Sequence, residues 1–239
     1  MFYWREQTGP VTWGFTDREG GVSHGDFASL NLGGRVGDDS SAVATNRARV
    51  AGSVGVQRDR LLFMQQCHGR EVVVVDRPWD DEAPVADGVV TTTPGLALAA
   101  LVADCTPVLL ADARAGVVGA VHAGRPGMTR RIVDAAVERM RELGAVDISA
   151  VVGPSVCGRC YEVPEDMRTA AAQVSAESAT VSWSGTPAVD VAAGVVSQLV
   201  ENDVTVHWVP GCAREDDRLF SYRRDGRTGR FAGVVVLQA

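Results

Sequence analysis

The chain has 239 residues, 46% of them apolar and 22% charged, enough to bury one sizeable core without disulfides to hold it together. Its net charge of -7 repels phosphate backbones and anionic lipid heads, and it has neither a basic-apolar leader nor an apolar run long enough to span a bilayer. A cytoplasmic protein with no nucleic-acid or membrane partner is expected, its five cysteines kept as thiols for metal binding, catalysis or simple burial.

Near the start, Gly33-Gly34-Arg35-Val36-Gly37 reads as a flexible loop, after which Asp38, Asp39 and Ser40 offer N-caps for a helix over residues 40–51. Val43 and Val50 mark its inner face. Arg47 falls on that same face, where a guanidinium either sits at the edge, snorkelling or paired with a carboxylate, or turns inward to bind an anion. Apolar runs of strand length follow at 60–64, 72–75, 96–102, 107–111 and 116–121, and many lack alternation, as strands buried on both faces do. Apolar residues at helical spacing predict a helix over 128–143, closed by Gly144. A strand at 148–152, a weaker helix after Pro164, a helix at 190–200 and strands at 204–209 and 231–237 complete the order. No linker, repeat or composition break divides it, so a single mixed α/β domain over residues 1–239 is expected, with helices on the outer faces of its sheet.

Three soft donors stand where strands meet breakers: His68 before Gly69, Cys105 before Thr106-Pro107, and His122 before Ala123-Gly124. Such a set suits zinc with a fourth position left open, which points to catalysis more than to scaffolding. Their spacing is long and irregular, and taken alone it equally describes core residues. Cys157-Gly158-Arg159-Cys160 has the CxxC form of half a zinc site, a redox pair or two thiols lining a turn; with no second CxxC, the last is favoured. The segment from Phe220 to Arg230 gathers four arginines among turn residues, suited to gripping phosphate or a ribose diol, or simply a solvated basic hairpin.

An ordered set of strings resembles the YfiH family, also called laccase-domain or DUF152 proteins. It runs through Phe27-Ala28-Ser29-Leu30-Asn31-Leu32, Asn46-Arg47, Gln66-Cys67-His68-Gly69, Ala86-Asp87-Gly88, Ala103-Asp104-Cys105-Thr106-Pro107, Val121-His122-Ala123-Gly124, Cys160-Tyr161-Glu162-Val163 and the Phe220 to Arg230 segment, covering nearly the whole chain. The resemblance implies two mixed sheets packed between helices, in α/β/β/α layers, and a zinc held by His68, Cys105 and His122. It also implies phosphorolysis of adenosine, inosine, guanosine and methylthioadenosine, with zinc-dependent deamination of adenosine in the same pocket. Purine nucleoside and phosphate would then be the partners, with Arg47, Gln66, Arg223 and Arg224 as substrate-binding candidates. Asp87, Asp104 and Glu162 are the candidate acid/base groups. One departure stands out: such proteins usually carry Ala-Gly-Trp-Arg-Gly after the second histidine, and this chain has Ala123-Gly124-Arg125-Pro126-Gly127, which removes an aromatic and moves the positive charge one place earlier.

Two rivals remain open at this stage. One is a Cys/His hydrolase or amidase acting on peptidoglycan precursors, with Cys105 as nucleophile and His122 as base. The other is a metal-stabilised binding module without turnover. Copper-dependent phenol oxidation is set aside, because two histidines and one cysteine cannot furnish a multicopper cluster.

Overall fold

The computed structural model describes residues 1–80 and 82–238. In chain order its elements are β1 (Phe2–Thr8), β2 (Val11–Thr16), α1 (Ser40–Ser53), β3 (Leu61–Phe63), β4 (Val72–Val74), β5 (Gly88–Thr91), β6 (Ala97–Val102), β7 (Thr106–Asp112) and β8 (Val117–Ala123). There follow α2 (Arg125–Thr129), α3 (Ile132–Glu142), β9 (Ser149–Val152), α4 (Glu165–Val174), β10 (Ala179–Val181), β11 (Pro187–Val189), α5 (Val191–Glu201), β12 (Thr205–Trp208), α6 (Tyr222–Asp225) and β13 (Phe231–Leu237).

Two mixed sheets carry the fold. The first has the order β1-β2-β13-β6-β3, with only β3 and β6 parallel; the second has the order β12-β9-β7-β8-β5-β4, parallel at its two ends and antiparallel between. Each central strand divides its side chains by parity. On β6, Leu98 and Ala100 face the second sheet, where they join Trp13, Phe15 and Val235 against Leu109, Val118 and Val151. Ala97 and Ala99 face outward and pack with Val50 and Ala51 of α1 and with Val54 just after it. The outer face of the second sheet, Val108, Leu110, Val117 and Val121, is covered by Met128, Ile132, Val137 and Met140 of α2 and α3 and by Val195 and Leu199 of α5. These are the expected α/β/β/α layers, and burial on both faces is why the strand sequences run apolar without alternation.

Several details differ from expectation. The β1–β2 hairpin was not foreseen, although Gly9 takes the positive φ (+57°) that a two-residue hairpin loop requires. Strands β5, β10 and β11 and the short α6 were also not foreseen; each spans only three or four residues, too few for a period to emerge. The helix expected over 128–143 is two helices, divided at Arg131, whose backbone is left-handed at φ +59°. The first of them starts early, at Arg125, because Pro126 is suited to a helix's first turn.

Candidate functional site

Register builds the centre of the site. In the β7–β8 ladder Thr106 pairs with Ala123 and Pro107 with His122, so Cys105, one residue before β7, meets His122 across the open end of the hairpin. His68 arrives on a separate loop in a left-handed conformation, φ +60°, and Asp104 beside Cys105 has φ +94°. Positive φ at two non-glycine residues flanking one point is backbone strain of the kind found at functional sites. The ligand atoms of His68, Cys105 and His122 lie within 4.8 Å of one another, with the Cys105 Sγ 3.7 Å from His68 Nε2. Gly124 makes room for them: a Cβ there would stand 2.6 Å from the His68 ring and 3.1 Å from the Cys105 sulfur. Two imidazoles and a thiolate are donors enough to hold one metal ion.

Asp87, fully buried, organises this trio from behind. One of its oxygens accepts from His122 Nδ1 at 2.7 Å and from the His68 backbone N–H at 3.0 Å; the other accepts from the Gly69 N–H at 2.6 Å and the Cys67 thiol at 3.1 Å. A single carboxylate therefore fixes the His122 ring and the His68 backbone, and by accepting from Nδ1 it turns His122 Nε2 towards the other two donors. Burial pushes its carboxyl up, but the His122 ring, the Gly69 N–H and the Cys67 thiol together hold it well below the usual carboxylate range. Burial likewise works against a charged Cys105 and a charged His122. Their mutual attraction overrides it, with the second histidine aiding the thiolate, so the cysteine is lowered and the histidine raised.

The trio opens into a cavity of about 1120 Å³. Phe63, Trp79, Tyr161 and Tyr222 give it aromatic walls, and Arg47, Arg125, Arg223 and Arg230 line it with positive charge. Among the described residues none of these four arginines pairs with a carboxylate, whereas the rim residue Arg35 pairs with Glu82. Arg47 lies 4.0 Å over the Phe63 ring and donates twice to the Leu32 carbonyl; burial, with Arg58 nearby, pushes it down to about 10, still charged at neutral pH. Arg223 lies over Tyr161, and Arg125 lines the cavity from the first turn of α2.

The remaining candidates separate clearly. Asp104 lines the cavity and accepts from Ser221 Oγ and the Arg223 N–H, both at 2.6 Å; burial pushes its carboxyl up against the downward pull of those two donors. Gln66 also lines the cavity, but its amide is paired in both directions with the Leu101 backbone. Arg224 is turned away from the cavity, its guanidinium donating to the carbonyls of Ala213, Asp216 and Leu219 and to the Asp225 carboxylate. Glu162 is also outside it, exposed, accepting from Ser182 and Thr186 hydroxyls. Sequence reasoning passed over Trp79, Arg58 and Arg230 in the wall; only Arg230 carried a signal, as the last of the four arginines.

Residues 12–238 match the family model described as multi-copper polyphenol oxidoreductase laccase. The chain belongs to this family. It is 55% identical to the purine nucleoside phosphorylase ORF3 of Streptomyces griseus, over 98% of both chains. It is 49% identical to the purine nucleoside phosphorylase Rv2149c of Mycobacterium tuberculosis, over 93% of this chain and 90% of that one. Among solved structures it is similar to the DUF152 protein NMB0706 of Neisseria meningitidis (TM-score 0.87, 31% identity, covering 100% and 99% of the chains). YlmD from Geobacillus stearothermophilus is similar as well (TM-score 0.89, 27% identity, covering 100% and 99%). Despite the family's description, the trio has the donor count of a single ion, and the chain has only four histidines in all. No helix among the described residues is long and apolar enough to cross a membrane.

Proposed function

We propose that this chain is a zinc-dependent purine nucleoside phosphorylase, acting on adenosine, inosine, guanosine and methylthioadenosine, and able to deaminate adenosine in the same cavity. The observation that carries the reading is the donor trio opening on an aromatic cavity whose arginines lack carboxylate partners; full-length similarity to proteins named purine nucleoside phosphorylase supplies the substrate class.

Zinc suits the trio because thiolate and imidazole are its preferred donors, and bound there it would act as a Lewis acid and lower the pKa of a bound water towards neutrality. His68, Cys105 and His122 would hold it, and Asp87 is a positioning residue that aims the His122 imidazole and fixes the backbone of His68. The base stacks on the aromatic wall, while Arg47 and Arg223, with Arg125 and Arg230 near, hold phosphate for attack on the ribose carbon. Asp104 is the acid/base group among the candidate carboxylates, since it lines the cavity, whereas Asp87 is sealed behind the histidines and Glu162 lies outside. Glu162 is assigned instead to holding the β10–β11 hairpin, Arg224 to bracing its own loop, and Gln66 to fixing the cavity wall.

The test is chromatography of products from adenosine incubated with zinc-loaded protein, with and without inorganic phosphate, beside a His68→Ala control. Adenine that requires phosphate and is absent from the control is the expected result; neither adenine nor inosine under any condition would sink the reading.

One observation favours a second reading. Asp87, His122 and Cys105 stand in the order of a nucleophilic triad, with the thiol lowered and the imidazole raised. A Cys/His hydrolase would need Cys105 free, so full protection of that thiol from iodoacetamide by stoichiometric zinc, with turnover retained, removes it.

A further inference from the structure

Among the described residues, one other group of donor side chains converges besides the trio. The Sγ atoms of Cys157, Cys160 and Cys212 and a carboxylate oxygen of Glu215 lie within 4.8 Å of one another. We propose that these four residues bind a second zinc ion, a closed structural site distinct from the catalytic trio.

The chain supplies the donors in two matching turns. Cys157-Gly158-Arg159-Cys160 closes with the Cys160 N–H on the Cys157 carbonyl at 2.9 Å; Cys212-Ala213-Arg214-Glu215 closes in the same way, the Glu215 N–H on the Cys212 carbonyl at 3.1 Å. Each turn thus presents its first and fourth side chains together, as the paired turns of structural zinc sites do. A search for a second CxxC misses the partner because a carboxylate stands in its last position. The turns are already joined: the Cys157 N–H points at the Cys212 sulfur at 3.5 Å, and residues 155 and 212 form a parallel bridge. Both are also docked tightly. A Cβ at Gly158 would meet Asp190 and Thr180 at 2.7 Å, and one at Gly211 would meet the Tyr3 hydroxyl at 2.6 Å. With zinc–sulfur bonds of about 2.3 Å, tetrahedral ligands stand about 3.8 Å apart, so closure onto an ion needs side-chain movements of an ångström or less.

Four protein donors leave no open position, which makes the site structural. Binding is an exchange without redox change: Zn²⁺ enters, the three thiols release their protons to solvent, and the Glu215 carboxylate replaces its present contacts with Cys160 Sγ and Trp183 Nε1. The location gives the ion a task. Val156 and Tyr161, which flank the first turn, line the catalytic cavity, and the second turn leads into the segment that carries Arg223 over the Tyr161 ring. The ion would staple the two halves of that wall from behind.

The experiment combines elemental analysis, native mass spectrometry and iodoacetamide footprinting on the full chain prepared with zinc under reducing conditions. Wild type is expected to hold one zinc beyond the trio's, His68→Ala to retain that ion, and Cys212→Ser and Glu215→Gln to lose or weaken it. In wild type Cys157, Cys160 and Cys212 are expected to resist alkylation until a chelator is added. Cobalt(II) in the His68→Ala protein is expected to give an intense sulfur-to-metal charge-transfer band that Cys212→Ser abolishes. A His68→Ala protein without metal, alkylation of the three thiols at equal rates with and without zinc, or a disulfide among them would each overturn the proposal. The footprint on wild type decides the matter even where a variant fails to fold, and none of these readouts depends on phosphorolysis.

Discussion

At the scale of single residues the site is a contest between burial and charge, and its outcome differs for two neighbouring thiols. Cys105 is lowered by the histidines, whereas Cys67 is raised, first by donating its proton to Asp87 and then by burial. In metal-free protein near pH 7, Cys105 is therefore expected to react with iodoacetamide before Cys67, although Cys67 is the more exposed; mass spectrometry showing the opposite order would refute this account of the charges. Asp87→Asn keeps the shape but weakens the hold on both histidines, and metal affinity measured against a competing chelator should fall about 10- to 100-fold. Arg47→Ala should raise KM for phosphate roughly tenfold, as loss of a charge-assisted hydrogen bond of about 1.4 kcal/mol would, and leave KM for the nucleoside nearly unmoved. An equal rise in both would mean that Arg47 shapes the cavity and does not hold the anion.

At the scale of elements, a polar brace sets the strands that carry the site. Asp112 at the end of β7 accepts four backbone N–H groups, from Arg114, Ala115, Val146 and Asp147, tying the β7–β8 turn to the lead-in of β9. Burial pushes its carboxyl up, yet those donors hold it below its ordinary value. Its contribution is thus present above the unfolded pKa of about 3.9 and is lost as pH falls through the lower folded value. Asp112→Ala should cost about 2 kcal/mol in urea unfolding at neutral pH, and the difference from wild type should shrink in strong acid; a constant difference would assign the loss to packing. The long strands and helices were legible because their apolar runs were long enough to show a period or its absence. The division at Arg131 was not, since the apolar spacing continues across it and only the backbone turns. Of the site, the donors could be read at strand ends, but the ranking of the carboxylates could not: Asp87, Asp104 and Glu162 differ in which way they face, which depends on sheet partners far away in sequence.

For the whole molecule, the acidic exterior and the arginine-lined cavity are complementary facts. A chain of net charge -7 that nevertheless lines one hollow with four guanidinium groups concentrates positive charge in that hollow. The layer between the sheets draws on both of them, and Phe15 of the first sheet sits so close to Gly153, just after β9 of the second, that a Cβ there would stand 2.4 Å from its ring. Neither sheet keeps its inner face covered without the other. The metal-loaded protein is accordingly expected to melt in one calorimetric transition, as a single folding unit; two resolved transitions would show that the layers fold apart.

The β7–β8 register also bears on how such a sequence can change over generations. Cys105 and His122 meet only because the ladder pairs Thr106 with Ala123 and Pro107 with His122, and a slip of one place would turn the histidine to the opposite face. Residues 113–116, which join the two strands, are held by the Asp112 brace and not by that register. In lineages descended from this chain, a change in the length of that connection would cost the brace but keep the register, while a one-residue insertion or deletion within either strand would disconnect the donors.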